Sequence, residues 1–176
     1  MLSIIVINIL SLQLIFKFIL YYLVISMSPS QWGPPTWLFM HTLAEKIKED
    51  SYPIIGKQLI HNIIQICNLL PCPDCSEHSK TFWSNVKVSN IQSKTDLINL
   101  LFVFHNCVNK RKQLKPFQYD DLQYYKSRNV VETFNNFAKN FNTKGNMNLL
   151  TDSFHRTRLL GALRMWVINN LNHFDM

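Results

Sequence analysis

Residues 70–78 read Leu70-Pro71-Cys72-Pro73-Asp74-Cys75-Ser76-Glu77-His78. Pro71 ends whatever helix precedes it, and a proline just after Cys72 suits the first turn of a new one. Two cysteines separated by two residues at a helix start can close a small, readily exchanged disulfide. Unsatisfied N–H groups and the positive end of the helix favour the thiolate of the first cysteine. A thiolate is the species that thiol–disulfide exchange requires. The same stretch admits a rival reading, because Cys67, Cys72, Cys75 and His78 form a Cys3His set suited to zinc. Cys67 and Cys107 otherwise read as small buried hydrophobes. There is no second Cys-x-x-Cys in the chain, so any further redox relay lies in another protein.

Outward from this turn the pattern is helical throughout. Pro34 and Pro35 are placed to start a helix whose face carries Trp37, Met40, His41, Ala44 and Ile47. A second helix is expected over 54–70, with Leu59, Ile60, Ile63, Ile64 and Cys67 inward, and a short third over about 72–83. Residues 85–93 are polar and loop-like. Thr95 is placed to cap a fourth helix over 96–112, with Leu97, Leu100, Leu101, Phe104 and Val108 inward. Lys115-Pro116 stops it, and a fifth follows over about 120–141. After a linker at 142–148, a last helix over about 152–172 turns Leu159, Leu160, Leu163, Trp166, Val167 and Leu171 toward the core. Arg156, Arg158 and Arg164 are expected elsewhere on its surface. No strand-like alternation is sustained, so the fold class is all-α.

The 176 residues include only four glycines, and these are dispersed. That excludes a GxGxxG dinucleotide turn and a GxxxxGK[ST] phosphate loop, both of which need clustered glycines. Four cysteines are too few for a disulfide-stapled scaffold. The 47% hydrophobic content is unevenly distributed: residues 1–26 read MLSIIVINILSLQLIFKFILYYLVIS, of which 20 are apolar, with interruptions at Asn8, Ser11, Gln13 and Lys17. As a helix, about 24 such residues would reach about 36 Å, enough to cross a bilayer core. Lys17 near its middle costs roughly 2.5–3.5 kcal/mol, against which the surrounding Ile and Leu act. A cleavable signal peptide fits less well, since the positive n-region and an A-x-A-like site are missing. The chain therefore reads as a single-pass anchor over 1–26, a helical domain over 27–141 and a helical extension over 142–176. Translation from Met27 would instead give a soluble body.

Two more constellations flank the cysteines. Trp32-Gly33-Pro34-Pro35-Thr36-Trp37 is followed by His41, which shares a helix face with Trp37 at i, i+4. Phe104-His105-Asn106-Cys107-Val108-Asn109 sets His105 and Asn109 on one face and runs into Lys110, Arg111, Lys112 and Lys115. Two aromatic–histidine faces beside a basic turn suggest a planar ring with an anionic tail. A net charge of +7 would also permit nucleic-acid binding. That reading pairs with zinc at the cysteines, but no nucleic-acid motif accompanies it.

In order, the motifs WGPPTWxxxH, LPCxxCxxH and HNxVN with its Lys-Pro-Phe turn resemble the Erv/ALR family of FAD-linked sulfhydryl oxidases, especially the compact versions of large DNA viruses. The resemblance spans about residues 32–125. It implies a four-helix bundle with a short extra helix, a homodimer, and non-covalent FAD at the mouth of the bundle. Trp37 and His41 would then line the adenine and isoalloxazine region beside Gly33. His105, Asn106 and Asn109 would contact the rings and ribose, with Lys110, Lys112 and Lys115 near the pyrophosphate. Tyr125 would close the adenine side. Cys75 would be the flavin-proximal sulfur and Cys72 the one attacked by a dithiol substrate, such as a thioredoxin-like protein, with oxygen as final acceptor and hydrogen peroxide as product. The chain departs from cellular members at Pro34 (Arg in the family), Leu100 (Trp) and Phe102 (Cys of a second disulfide). With cations assigned to the pyrophosphate, no nucleic-acid partner is expected. A flavin-free, membrane-tethered thiol carrier is a further alternative.

Overall fold

The computed structural model describes residues 15, 17, 28–142 and 150–175. The anchor expected over 1–26 lies outside these residues but for Ile15 and Lys17. Among the described residues no helix is long and apolar enough to cross a membrane.

The chain is all-α, as its periodicity indicates. In order come α1 (Pro29–Lys46), α2 (Tyr52–Asn68), α3 (Pro73–Ser84), α4 (Lys94–Arg111), α5 (Gln123–Lys126), α6 (Val130–Phe141) and α7 (Leu150–Asn169). Short 3-10 turns fall at Val88–Asn90, Tyr119–Leu122 and Leu171–His173. One core runs through them. Phe39, Met40 and Leu43 of α1 meet Leu59, Ile60 and Ile63 of α2, Leu97, Leu101 and Phe104 of α4, and Phe134, Phe137 and Phe141 of α6. From α7, Leu160, Leu163 and Val167 join the same cluster. Phe174 is buried there too, paired with Ile47 across a bridge in which Asp175 N–H donates to the Lys46 carbonyl at 2.7 Å.

Several boundaries differ from the sequence expectation, each for a local reason. α1 starts not at Pro34 but at Pro29, with the Ser28 hydroxyl accepting from Ser30 N–H. Pro34 and Pro35 sit inside it, removing donors only from the Ser30 and Gln31 carbonyls. Both of those residues are exposed, so water can satisfy the vacant acceptors. α4 is capped by Ser93 rather than Thr95: Ser93 accepts from Asp96 N–H at 3.1 Å and Asp96 accepts back from Ser93 N–H at 2.9 Å. This reciprocal box satisfies two helix-end donors at once. The helix expected over 120–141 is broken, because Asn129 caps α6 through Val131 and Glu132 N–H and so ends the preceding turn. Arg156 is buried rather than exposed, and Cys107 is exposed rather than buried.

α4 ends before Pro116. Gln113 adopts a left-handed conformation (φ 55°), while Leu114 N–H reaches the Asn109 carbonyl and Gln113 N–H that of Lys110. These are the two bonds that close a helix when the next residue turns left-handed. A non-glycine residue there costs about 1–2 kcal/mol, accepted beside the basic turn that the helix leads into.

Candidate functional site

Cys72 and Cys75 form a disulfide with a Cα–Cα distance of 5.2 Å. Cys72 is the N-cap of α3, and its sulfur accepts from Cys75 N–H at 3.2 Å. The turn is pinned to the end of α2 by the Ser76 hydroxyl, which donates to the Asn68 carbonyl at 2.7 Å. Arg111, at the end of α4, donates to the Asp74 carbonyl at 3.4 Å. Cys67 lies nearby but is fully enclosed. Burial pushes its thiol up to about 11, partly offset by the polar side chains of Ser79 and Trp83 beside it. It is therefore a protonated thiol, unsuited to exchange or metal ligation at neutral pH. With Cys72 and Cys75 bonded to each other, the Cys3His zinc set is lost. Among the described residues no three His, Cys, Asp or Glu side chains converge as a metal site.

A wall of stacked rings stands beyond the disulfide. His105 lies between Trp37 (centroids 4.0 Å apart, planes 8° apart) and Phe117 (4.5 Å, 23°). His41 stacks on Tyr125 at 4.6 Å, and its Nε2 is 3.1 Å from His105 Nδ1. Burial drives His41 down to about 3, with the neighbouring His105 adding to the shift. Burial likewise lowers His105 to about 4, opposed by Asp121. Both imidazoles are neutral at pH 7, and a single proton lies between the two facing nitrogens.

The asparagines serve the turn. Asn106 both donates to the Phe117 carbonyl (3.0 Å) and accepts from Phe117 N–H (2.8 Å), and Asn109 donates to the Lys115 carbonyl at 3.2 Å. The Lys-Pro-Phe turn is thereby clamped against α4, which delivers Phe117 to the ring stack. Phe117 has no place among the sequence-derived site residues, because its contact with His105 exists only once that turn folds back.

Two connected spaces open along this wall. The narrower, of about 480 Å³ of free volume, is lined by Cys75, Gly33, Trp37, Phe104, Arg111 and Lys112 among others. The wider, of about 1240 Å³ and open to solvent, shares Gly33, Trp37, Val108 and Lys112 and adds His105, Asn109, Tyr124 and Tyr125. Neither lining contains a carboxylate. Lys112 is held below its usual range by burial and by the adjacent Arg111, so a bound anion would relieve both cations. Beyond its own helix backbone, a Cβ built on Gly33 meets nothing within 4 Å. Its glycine is thus unexplained by packing, although it costs roughly 1 kcal/mol relative to alanine inside a helix. Rings, cations and an open glycine suit a flat ligand with an anionic tail, which is the chemistry of FAD.

Of the sequence-derived residues, Gly33, Trp37, Cys75, His105, Asn109, Lys112 and Tyr125 line these spaces. His41 sits behind the rings, and Asn106 is engaged with Phe117. Lys110 and Lys115 are exposed and line neither space. Arg111 lines the narrow one although the sequence reading leaves it out.

Residues 34–129 match the Erv1/Alr family. The chain belongs to that family. A protein of Invertebrate iridescent virus 3, named as an FAD-linked sulfhydryl oxidase, is 33% identical over 89 residues, covering 49% of this chain and 59% of the relative. The chain thus spans somewhat more than half the length of the curated relative it matches. No solved structure gives a significant match. The Erv1/Alr match contains the disulfide, the rings and the basic turn; α6 and α7 lie beyond it.

Proposed function

We propose that the chain is an FAD-dependent thiol oxidase that forms disulfides in substrate proteins through Cys72–Cys75 and passes the electrons to oxygen, giving hydrogen peroxide. The observation that carries this is the disulfide's position in the wall of a cation-lined, ring-walled cleft, with Cys75 on the cleft side. A substrate thiolate attacks the Cys72 sulfur, forming a mixed disulfide and breaking the Cys72–Cys75 bond. Cys75 leaves as a thiolate, while the mixed disulfide stays on Cys72, whose sulfur accepts from Cys75 N–H at the start of α3. The second substrate thiol then attacks the mixed disulfide, releasing the oxidised substrate and leaving both cysteines reduced. FAD, when bound, would accept that electron pair and deliver it to oxygen, so that two thiols and one O2 give one disulfide and one H2O2.

Trp37, His105 and Tyr125 would supply ring faces and Gly33 room for close approach. The neutral His41–His105 pair would fix the wall without adding charge. Lys112, with Lys110 and Lys115 further along the turn, would meet the pyrophosphate, and Asn109 the ribose. Asn106 would act through the turn that it clamps. A thioredoxin-like or other dithiol protein is the substrate class. A homodimer and an anchor at 1–26 ahead of a 27–141 domain and a 142–176 extension complete the reading.

The test is the visible spectrum and oxygen uptake of purified protein. A flavin spectrum with dithiothreitol-dependent oxygen consumption and peroxide formation is expected. A colourless protein that exchanges disulfides without consuming oxygen would replace the oxidase by a thiol carrier.

A further inference from the structure

The disulfide has a second side. Apart from the ring-walled cleft, a separate groove of about 530 Å³ of free volume runs past Pro71 and Pro73, the two neighbours of Cys72. Its far wall is not part of the residues that match the Erv1/Alr family. It is the first half of α7, contributing Asp152 and Arg156, which face Glu77 and Lys80 of α3. Lys80 pairs with Glu77 at 3.7 Å, and the charge of Asp152 acts on the buried Arg156. Two cations and two anions leave the groove without net charge, unlike the cation-lined cleft behind the disulfide.

The backbone beside Cys72 is poor in donors. Cys72 is extended (φ −104°, ψ 116°) between two prolines, neither of which has an N–H. A polypeptide laid along this stretch must find partners for its own N–H and C=O groups elsewhere, since unmet ones are costly. Exposed Lys80 offers donors and exposed Asp152 an acceptor, one on each wall.

Resting on the thiol-oxidase reading, we infer that α7 forms one wall of the substrate site: the groove beside Cys72 receives an extended, cysteine-bearing polypeptide segment, held through Asp152 and Lys80. A small dithiol needs only the sulfur; a polypeptide also uses the groove.

The test compares the flavin-loaded full chain with its Asp152→Ala/Lys80→Ala variant on two probes, reduced unfolded ribonuclease A and dithiothreitol. The ratio of kcat/KM for ribonuclease to that for dithiothreitol is expected to fall about three- to tenfold, through KM. Both substituted side chains are exposed, so folding is retained; Glu77→Ala, which frees Lys80 from its partner, is a second probe and should shift the same ratio. An unchanged ratio in both variants, or parent protein that oxidises dithiothreitol but not the unfolded protein, overturns the inference. Parent protein that oxidises neither overturns the oxidase reading instead.

Discussion

At the disulfide end of the cleft the geometry is local. Cys72 caps α3, accepts from Cys75 three residues on, and bonds to it. At the ring end, the two nitrogens facing each other at 3.1 Å belong to residues 64 positions apart, and Phe117 arrives only through a turn clamped by Asn106. The first end is built by one turn of chain and the second by the assembled bundle. Chemistry at the disulfide should therefore be separable from folding, whereas the ring wall should report on both.

The sharpest break is Cys72→Ser or Cys75→Ser. Either should reduce dithiol turnover by on the order of 10³-fold or more, since no alternative sulfur can replace the lost one. Circular dichroism and flavin content should stay near those of the parent; loss of helicity would show that the turn is not as independent as its bonding indicates. Cys67→Ser, by contrast, should retain most turnover.

The converse experiment is His105→Ala. It removes stacking on Trp37 and Phe117 and leaves a buried His41 nitrogen without its partner, a loss of about 2–4 kcal/mol in urea unfolding. Flavin should be lost with it. A variant as stable as the parent would mean that the rings contribute nothing to folding.

Acid should attack the ring end first. His41 and His105 titrate at about 3 and about 4 in the fold against an ordinary 6.5, so the unfolded chain binds more protons between those values. Their stabilising effect is complete above about pH 6.5 and drains away as pH falls toward 4, at up to about 1.4 kcal/mol per pH unit for each histidine. Urea midpoints at pH 7, 5.5 and 4.5 should show it, and His105→Ala should flatten the profile.

The smallest effect separates ligand from fold at one atom. Gly33→Ala should raise the stability of the flavin-free protein by about 0.5–1 kcal/mol, since the new Cβ meets open space. The same change should weaken flavin binding. Tighter or unaltered binding would remove Gly33 from the cofactor surface.

What the sequence discloses follows the same division. The helix set, the core faces and the Cys72–Cys75 turn rest on short-range spacing and were legible. Arg156 was not: a helix period assigns it to a face, but burial depends on where α7 lands. The break at Asn129 escaped because a capping asparagine and a mid-helix one look alike until a neighbour fixes the turn. Phe117 joins the site only because the chain leaves α4 through the left-handed Gln113, where glycine is the usual signal and is missing.

The four tryptophans are distributed in a way that makes the molecule its own optical gauge. Trp32 and Trp37 line the narrow part of the cleft, Trp83 is buried beside Cys67, and Trp166 is fixed to Gln58 at 3.1 Å, between α7 and α2. Flavin entering the cleft should quench the first pair by contact. Trp166 would act as an internal reference, so occupancy can be followed by emission in the full chain without a label.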